Sequence, residues 1–205
     1  MDCNCPEEKS LVEIIAENCG IDLKQIQKLA FQRDRPFGIF NPTTIVDLAA
    51  WQVFMTAGNE DKIVITPFIG GDPIIEAGDK ITTGGGDNST LNGVEELEGV
   101  NPSNFSCVFK SLSPLVESQI KALICEKRLT VYLLLQGGRI ACWSEDITDP
   151  DAKLKGIPTQ SFFLSDRNNA GFGTKDTFNC SFSLVESWSE KLVIFKPTWN
   201  PLTDL

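Results

Sequence analysis

The chain's 205 residues are 41% hydrophobic and 22% charged, carry a formal net charge of −10 and include no histidine. That length fits one domain with a sizeable core, no apolar run approaches the ~20 residues of a membrane-spanning helix, and scattered Lys and Arg in an acidic chain argue against direct nucleic-acid or anionic-membrane binding. Without histidine, Ser-His-Asp and Cys-His catalysis and most zinc-hydrolase designs drop out, leaving carboxylate- or lysine-based enzymes, binding modules and structural proteins.

The first residues, Met1-Asp2-Cys3-Asn4-Cys5-Pro6-Glu7-Glu8, are acidic and polar. A secretory signal starts basic and continues apolar, so the expected location is a cytoplasm, or release from one by lysis. Ser10-Leu11-Val12-Glu13 reads as a capping box that opens a first helix to about Cys19, with Gly20 as its stop. Ile21 to Phe31 fits a helix through Ile21, Leu23, Ile26, Leu29 and Ala30, or equally a strand near Gln27 to Phe31. A second helix is expected to start near Asn41-Pro42-Thr43-Thr44, with Asp47 three residues after Thr44. Its buried face would be Ile45, Leu48, Ala49, Val53 and Phe54, extended by Trp51, and Gly58 would end it. Lys62 to Phe68 reads as a strand with a proline near its end.

Residues 69–100 are the least regular. Pro73 to Ile75 and Lys80 to Thr83 read as short strands, Gly84-Gly85-Gly86-Asp87-Asn88 as a flexible tip, and Leu91 to Val94 as the return. This is the pattern of a projecting β-arm, and long loops of this kind are usually functional. Between Gly70 and Gly99 lie Asp72, Glu76, Asp79, Asp87, Glu95, Glu96 and Glu98 against Lys80 alone. Such a run is either a solvated loop face or a surface that repels polyanions.

The central block reads strand, helix, strand. Phe105, Cys107 and Phe109 recur at period 2. Ser113-Pro114 supplies an N-cap and a first-turn proline for a helix over about 114–127. Val116, Ile120, Leu123 and Ile124 fall on its inner face, with Glu117 near its start and Lys127-Arg128 at its end. Leu129 to Leu135 is a strand that turns at Gln136-Gly137-Gly138-Arg139 and returns as Ile140 to Trp143. Thr148 to Gly156 is a polar loop, Ser161 to Leu164 a short strand and Ser165 to Thr174 a Gly/Asn loop. Thr177 to Val185 alternates cleanly, with Phe178, Cys180, Phe182 and Leu184 on one face. Leu192 to Phe195 is the last strand. The tail 196–205 is irregular, and its apolar anchors Trp199 and Leu202 pack on the chain's own sheet or on a neighbouring subunit. The expected fold is α+β and mainly antiparallel β. It is a β-sandwich or barrel with a packed central helix, one or two N-terminal helices and a projecting arm, all in one domain 1–205.

Candidate chemistry is sparse. Gly84-Gly85-Gly86-Asp87 lacks the Gly-Lys-Ser/Thr of a phosphate loop and has acidic flanks, so it reads as a hairpin tip. Cys3, Cys5 and Cys19 offer three soft ligands, but their spacing matches no strong zinc pattern. Seven cysteines without a signal peptide read as reduced thiols, with Cys107, Cys142 and Cys180 as small buried residues of strands. Asp166-Arg167 and Asp176 flank the glycines of Ala170 to Gly173, but not in an EF-hand pattern. No cofactor, metal or catalytic group is expected. Two other readings stay open: a ligand-binding module with Trp51, Trp143, Trp188 or Trp199 lining a pocket, and a hydrolase using a pair among Asp146, Asp149, Asp166 and Asp176.

The order of these signals resembles that of virion structural proteins of tailed bacteriophages, tail-tube-like proteins especially. The residues that carry the resemblance are Trp51, Lys62 to Pro67, the Gly84 to Gly93 arm, Phe105 to Arg128, Thr177 to Val185 and the closing Asn200-Pro201-Leu202. The resemblance implies a non-enzymatic protomer that forms rings with copies of itself and meets other virion proteins. In that setting Gly84, Gly85, Gly86, Trp199 and Leu202 are expected assembly contacts. Glu95, Glu96 and Glu98 are the expected acidic face of a lumen that does not bind nucleic acid. The expected location is the virion, assembled in a host bacterial cytoplasm.

Overall fold

Leu129–Leu135 is buried at all seven positions, which a strand achieves only when both of its faces are covered. The computed structural model describes residues 23, 25–35, 38–58, 60–71, 73–86, 89–146, 149 and 151–205, and this strand lies at the centre of a ten-stranded sheet. The strands in chain order are β1 Ile26–Arg33, β2 Val64–Ile65, β3 Ile74–Glu76, β4 Lys80–Thr83, β5 Glu96–Val100, β6 Ser103–Lys110, β7 Leu129–Leu135, β8 Arg139–Ser144, β9 Leu154–Lys155, β10 Ile157–Leu164, β11 Thr177–Leu184 and β12 Leu192–Phe195. The helices are α1 Leu48–Thr56 and α2 Pro114–Lys121. The large sheet runs β12-β8-β7-β10-β11-β6-β3; β1 also pairs β7, β2 pairs β1 and β9 pairs β8. β4 and β5 form a separate two-stranded sheet.

Strand β7 takes β1 along one edge, from Arg33 opposite Leu129 to Ile26 opposite Leu135. Its other edge is shared, with β10 at residues 129–131 and β8 at 133–135. This branching folds the sheet over itself into two layers. Phe31 of β1 meets Phe162 of β10 at 5.1 Å and Phe182 of β11 at 5.8 Å between ring centroids. The sheet is not closed into a barrel. The loop after β2 spans the remaining gap: Thr66 and Ile69 donate to Leu29 and Gln27 of β1, and Gly70 and Gly71 both donate to the Val108 carbonyl of β6. A Cβ on Gly71 would lie 2.9 Å from the Val108 Cβ, so this close approach requires glycine.

Period 2 sorts β1 and β7 into two cores. Leu29, Phe31, Val131 and Leu133 point into the inner core with Phe105, Phe109, Phe178 and Phe182. Ala30, Tyr132 and Leu134 point into an outer core, which α1 and the C-terminal tail cover through Trp51, Trp199 and Leu202. Trp51 anchors that second core. Its indole donates to the Ile45 carbonyl at 2.9 Å, and its ring lies 4.9 Å from Phe40 and 5.2 Å from Tyr132.

Of the two readings of 21–31, the strand holds: β1 runs from Ile26, because its backbone pairs with β7. Several other expectations need correction. The second helix starts at Leu48, capped by Asp47, since Asn41 forms its own turn by accepting from the amides of Thr43 and Thr44. Trp51 is buried as expected, but Ala49 faces outward and Val53 is 62% exposed, so the buried face centres on Trp51. The expected strand over Lys62 to Phe68 shrinks to β2. Leu91–Gly93 is a 3-10 turn, and the arm returns through β5 instead. The central helix ends at Lys121 and tightens into a 3-10 turn over Ala122–Cys125. Three residues per turn rotates Ile124 off the inner face, leaving it 44% exposed. Lys121, not Lys127-Arg128, supplies the basic last turn, and it also bonds Glu117 at 2.9 Å. The loop 148–156 contains β9, which pairs with β8, and β10 begins four residues earlier than expected. The first helix and the Cys3, Cys5 and Cys19 set lie outside the described residues.

Candidate functional site

The arm leaves the main sheet just after β3 and rejoins it at β6. In it Lys80 pairs Val100, Ile81 pairs Gly99, Thr82 pairs Leu97 and Thr83 pairs Glu96, with a bulge at Glu98. At its base Asn101 donates to the Asp79 carbonyl at 2.9 Å, and at its tip Gly85 and Gly86 both donate to the Gly93 carbonyl at 3.2 Å. Gly84 packs against Thr90 and Val94. Apolar residues crowd this small element: Ile81, Leu91, Val94, Leu97 and Val100 are all at least 41% exposed. Isolated two-stranded hairpins are marginal in water, and contiguous exposed apolar surface marks an interaction site.

The acidic residues divide between the two faces of the arm. Glu95 pairs with Lys80 at 2.9 Å on one face. Its carboxyl is held below the ordinary range, first by the hydrogen bond from Lys80 and then by that from Thr82. Glu98 accepts from the Thr83 hydroxyl on the other face, where Glu96 also lies opposite Thr83. The structure thus brings Glu96 and Glu98 together and turns Glu95 toward the basic residue of the hairpin.

The two tail anchors pack inward and remain partly exposed. Trp199 donates to the Val46 carbonyl at 2.7 Å and lies 6.5 Å from Trp51. Leu202 packs on the same outer core, and its amide donates to Asn200 Oδ1. Trp51 and Trp199 meet in the outer core, and Trp143 and Trp188 pack on the inner. Trp51 is buried, Trp143 carries Lys155 and Lys191 over its ring at 5.0 and 4.8 Å, Trp188 packs on the inner core and Trp199 on the outer.

Two of the four carboxylates of the hydrolase reading are held in ion pairs. Asp166 pairs with Lys121, and Asp176 with Arg167 at 2.9 Å and with Asn169 at 2.7 Å. The lysine and the arginine hold the two carboxyls below their ordinary range, the opposite of what a general acid needs. Arg167 also reaches the Leu112 carbonyl at 3.0 Å, Glu117 at 3.5 Å and the Phe178 ring at 5.1 Å. The cluster ties α2 to the β10–β11 loop, a feature that the sequence reading missed. The alternation of Asp166, Arg167 and Asp176 was visible, but not their partners on α2. Among the described residues, no group of three His, Cys, Asp or Glu is placed to hold a metal, and no helix is long and apolar enough to cross a membrane.

No protein-family model and no curated protein matches the sequence. Among solved structures, the chain is similar to one from the virion of the native gene transfer agent (GTA) particle, with a TM-score of 0.36 and 10% identity, covering 62% of this chain and 87% of that one. It is also similar to one from the six-fold symmetrised cryo-EM structure of the anti-feeding prophage (AFP) baseplate, with a TM-score of 0.32 and 12% identity, covering 90% of this chain and 100% of that one.

Proposed function

We propose that the protein is a non-enzymatic structural component of a phage-type particle, tail-tube-like or connector-like, that builds rings from copies of itself. The observation that carries this reading is the arm. A two-stranded hairpin separate from the main sheet, with Ile81, Leu91, Val94, Leu97 and Val100 uncovered, gains stability when a neighbour covers it. The tip at Gly84, Gly85 and Gly86 and the uncovered parts of Trp199 and Leu202 join those contacts. Glu96 and Glu98 face a conduit that repels nucleic acid, while Glu95 stays with Lys80 on the arm's other face. Other virion proteins cap the rings, and the particle is assembled in the host cytoplasm.

Electron microscopy of the purified protein at high concentration tests the reading, with rings or tubes as the expected result. Deleting residues 84–88 should leave the melting temperature of the protomer nearly unchanged and abolish the assemblies. A protein that stays monomeric at every concentration would sink the proposal, and unimpaired assembly of the deletion variant would remove the arm from it.

A further inference from the structure

The inner core has an opening between α2 and β2. The cavity there has a volume of about 560 Å³ and is walled by Met55, Ile63, Ile65, Val116, Ile120 and Leu123. Ile120 is buried in the inner core, and Val64, Val116 and Leu123 pack against that core from the rim. Among the described residues β2 pairs with β1 alone, so no strand covers its other edge. The lining is apolar except for Lys62, Thr66 and Gln119, and the Thr66 hydroxyl already accepts from the Leu29 amide at 3.0 Å. So few convergent polar groups suit an apolar surface better than a small polar ligand.

The chain itself supplies a matching face. Over residues 10–19, Leu11, Ile14 and Ile15 recur at helical spacing, Val12 and Cys19 flank them, and Glu13 and Glu17 fall on the opposite side. A helix of about ten residues is marginal in water unless something covers its apolar face. The segment is tied to the right core, because Leu23 just beyond it packs against the inner core. Its reach is sufficient. Ala30 lies opposite Ile65 of the cavity wall, and the seven residues from Leu23 to Ala30 span at most about 25 Å. Residues 20–22 extended cover about 10 Å, and a ten-residue helix adds about 15 Å. Charge agrees as well. Residues 1–22 carry Asp2, Glu7, Glu8, Glu13, Glu17 and Asp22 against Lys9 alone, whereas Lys62 is the one charged group among the described residues that line the cavity.

We propose that residues 10–19 form a helix that seats Leu11, Ile14 and Ile15 in the α2–β2 cavity of the same molecule. The proposal stands apart from the assembly reading above. A stable contact between separate chains needs roughly 1,200 Å² in total. A segment tethered at Leu23 instead meets the cavity at an effective concentration in the millimolar range, so a few apolar side chains suffice. Seated there, the helix completes the inner core where α2 and β2 leave it open. Its acidic side stays in water, where the exposed Lys62 at the rim attracts it.

Hydrogen-exchange mass spectrometry of the full chain tests this, with wild type, Ile14→Asp and Ala122→Glu. Ala122 is exposed on the cavity wall, so a carboxylate there blocks the seat and repels the acidic helix without disturbing the main fold. Ala122→Glu should therefore melt no lower than Ile14→Asp, since each only unseats the helix. If it melts lower, Gln119→Glu, exposed on the same wall, replaces it. In wild type the amides of 11–19 should be protected. In both variants they should exchange about 10-fold faster or more. Peptides from 62–67 and 116–123 should loosen with them, because each side of the contact covers the other. Unprotected amides over 11–19 in wild type overturn the proposal. So does protection that the cavity-wall variant leaves intact, which places the helix elsewhere. Protection that vanishes on dilution assigns the seat to a second copy and overturns docking within one molecule. None of these outcomes reads ring formation, so the assembly reading stands or falls separately.

Discussion

Phe182 lies where the two layers of the folded sheet meet. Its ring is stacked 4.5 Å from Phe105, lies edge-on to Phe31 at 5.8 Å and is 6.3 Å from Phe162. Truncating it removes burial and leaves a cavity that three rings cannot collapse into. Phe182→Ala should therefore cost roughly 3–5 kcal/mol, read as a lower urea midpoint at unchanged slope. Phe163→Ala on the outer side of β10, where the ring is 52% exposed, should cost far less. Equal losses at the two positions would refute the register of these strands. The inward face of Phe178, Cys180, Phe182 and Leu184 was legible, because strict alternation admits one answer. Phe31 was not, because the apolar spacing around it suits helix and strand alike, and only pairing with β7 decides. Trp51 was legible as an extension of the helix's buried face, whereas Ala49 and Val53 were placed on that face and lie outward.

At the scale of elements, α2 shows where local signals stop. Ser113 and Pro114 fix its start, and the Ser113 hydroxyl accepts from the Val116 amide at 3.3 Å. Its end is set by packing and by the 3-10 tightening, neither of which leaves a sequence mark. The helix is fastened to the β10–β11 loop by Arg167, Asp176, Lys121, Asp166 and Glu117. Asp176 is depressed below its ordinary range, chiefly by the Arg167 hydrogen bond and then by that of Asn169. A carboxyl depressed by folding stabilises fully above its unfolded value of about 3.9 and loses that contribution as pH falls through the folded value. Asp176→Asn should thus melt below wild type at pH 6, and the two curves should converge toward pH 2. The gap should be smaller than that of Phe182→Ala, since exposed ion pairs contribute little. A difference that persists undiminished at pH 2 would mean that the side chain acts by packing instead of charge. The arm was legible in outline, through its glycines and broken alternation. Its return strand was not, because Glu96–Val100 carries the charges of a loop.

At the scale of the molecule, the charge is acidic and its placement decides what it repels. Glu96 and Glu98 share one face of the arm, while Glu95 neutralises Lys80 on the other. If the face of Glu96 and Glu98 lines a conduit for nucleic acid, reversing it should turn a repelling wall into a binding one. Glu96→Lys with Glu98→Lys should fold as the parent does, since exposed substitutions usually cost little. Adding Glu95→Lys removes the partner of Lys80 and sets two like charges together, so the triple variant should be somewhat less stable than the double. Each replacement adds two units, so the triple variant moves the net charge from −10 to −4. Neutralising phosphates releases their counterions, and the logarithm of affinity then falls against the logarithm of salt by about 0.9 per phosphate contacted. Duplex binding by the double variant should accordingly appear at low salt with a slope near −2. Its titration should show nothing at moderate salt, and the parent should show no binding at either. Assembled rings should show the change more strongly than protomers, because a ring presents the reversed face once per copy around a single channel. Tight binding by the parent, weakening steeply with salt, would overturn the conduit and the exclusion of nucleic acid as a ligand together. Equal gains from reversing Glu60 and Glu145, both remote from the arm, would show that net charge acts and the placement of Glu96 and Glu98 does not.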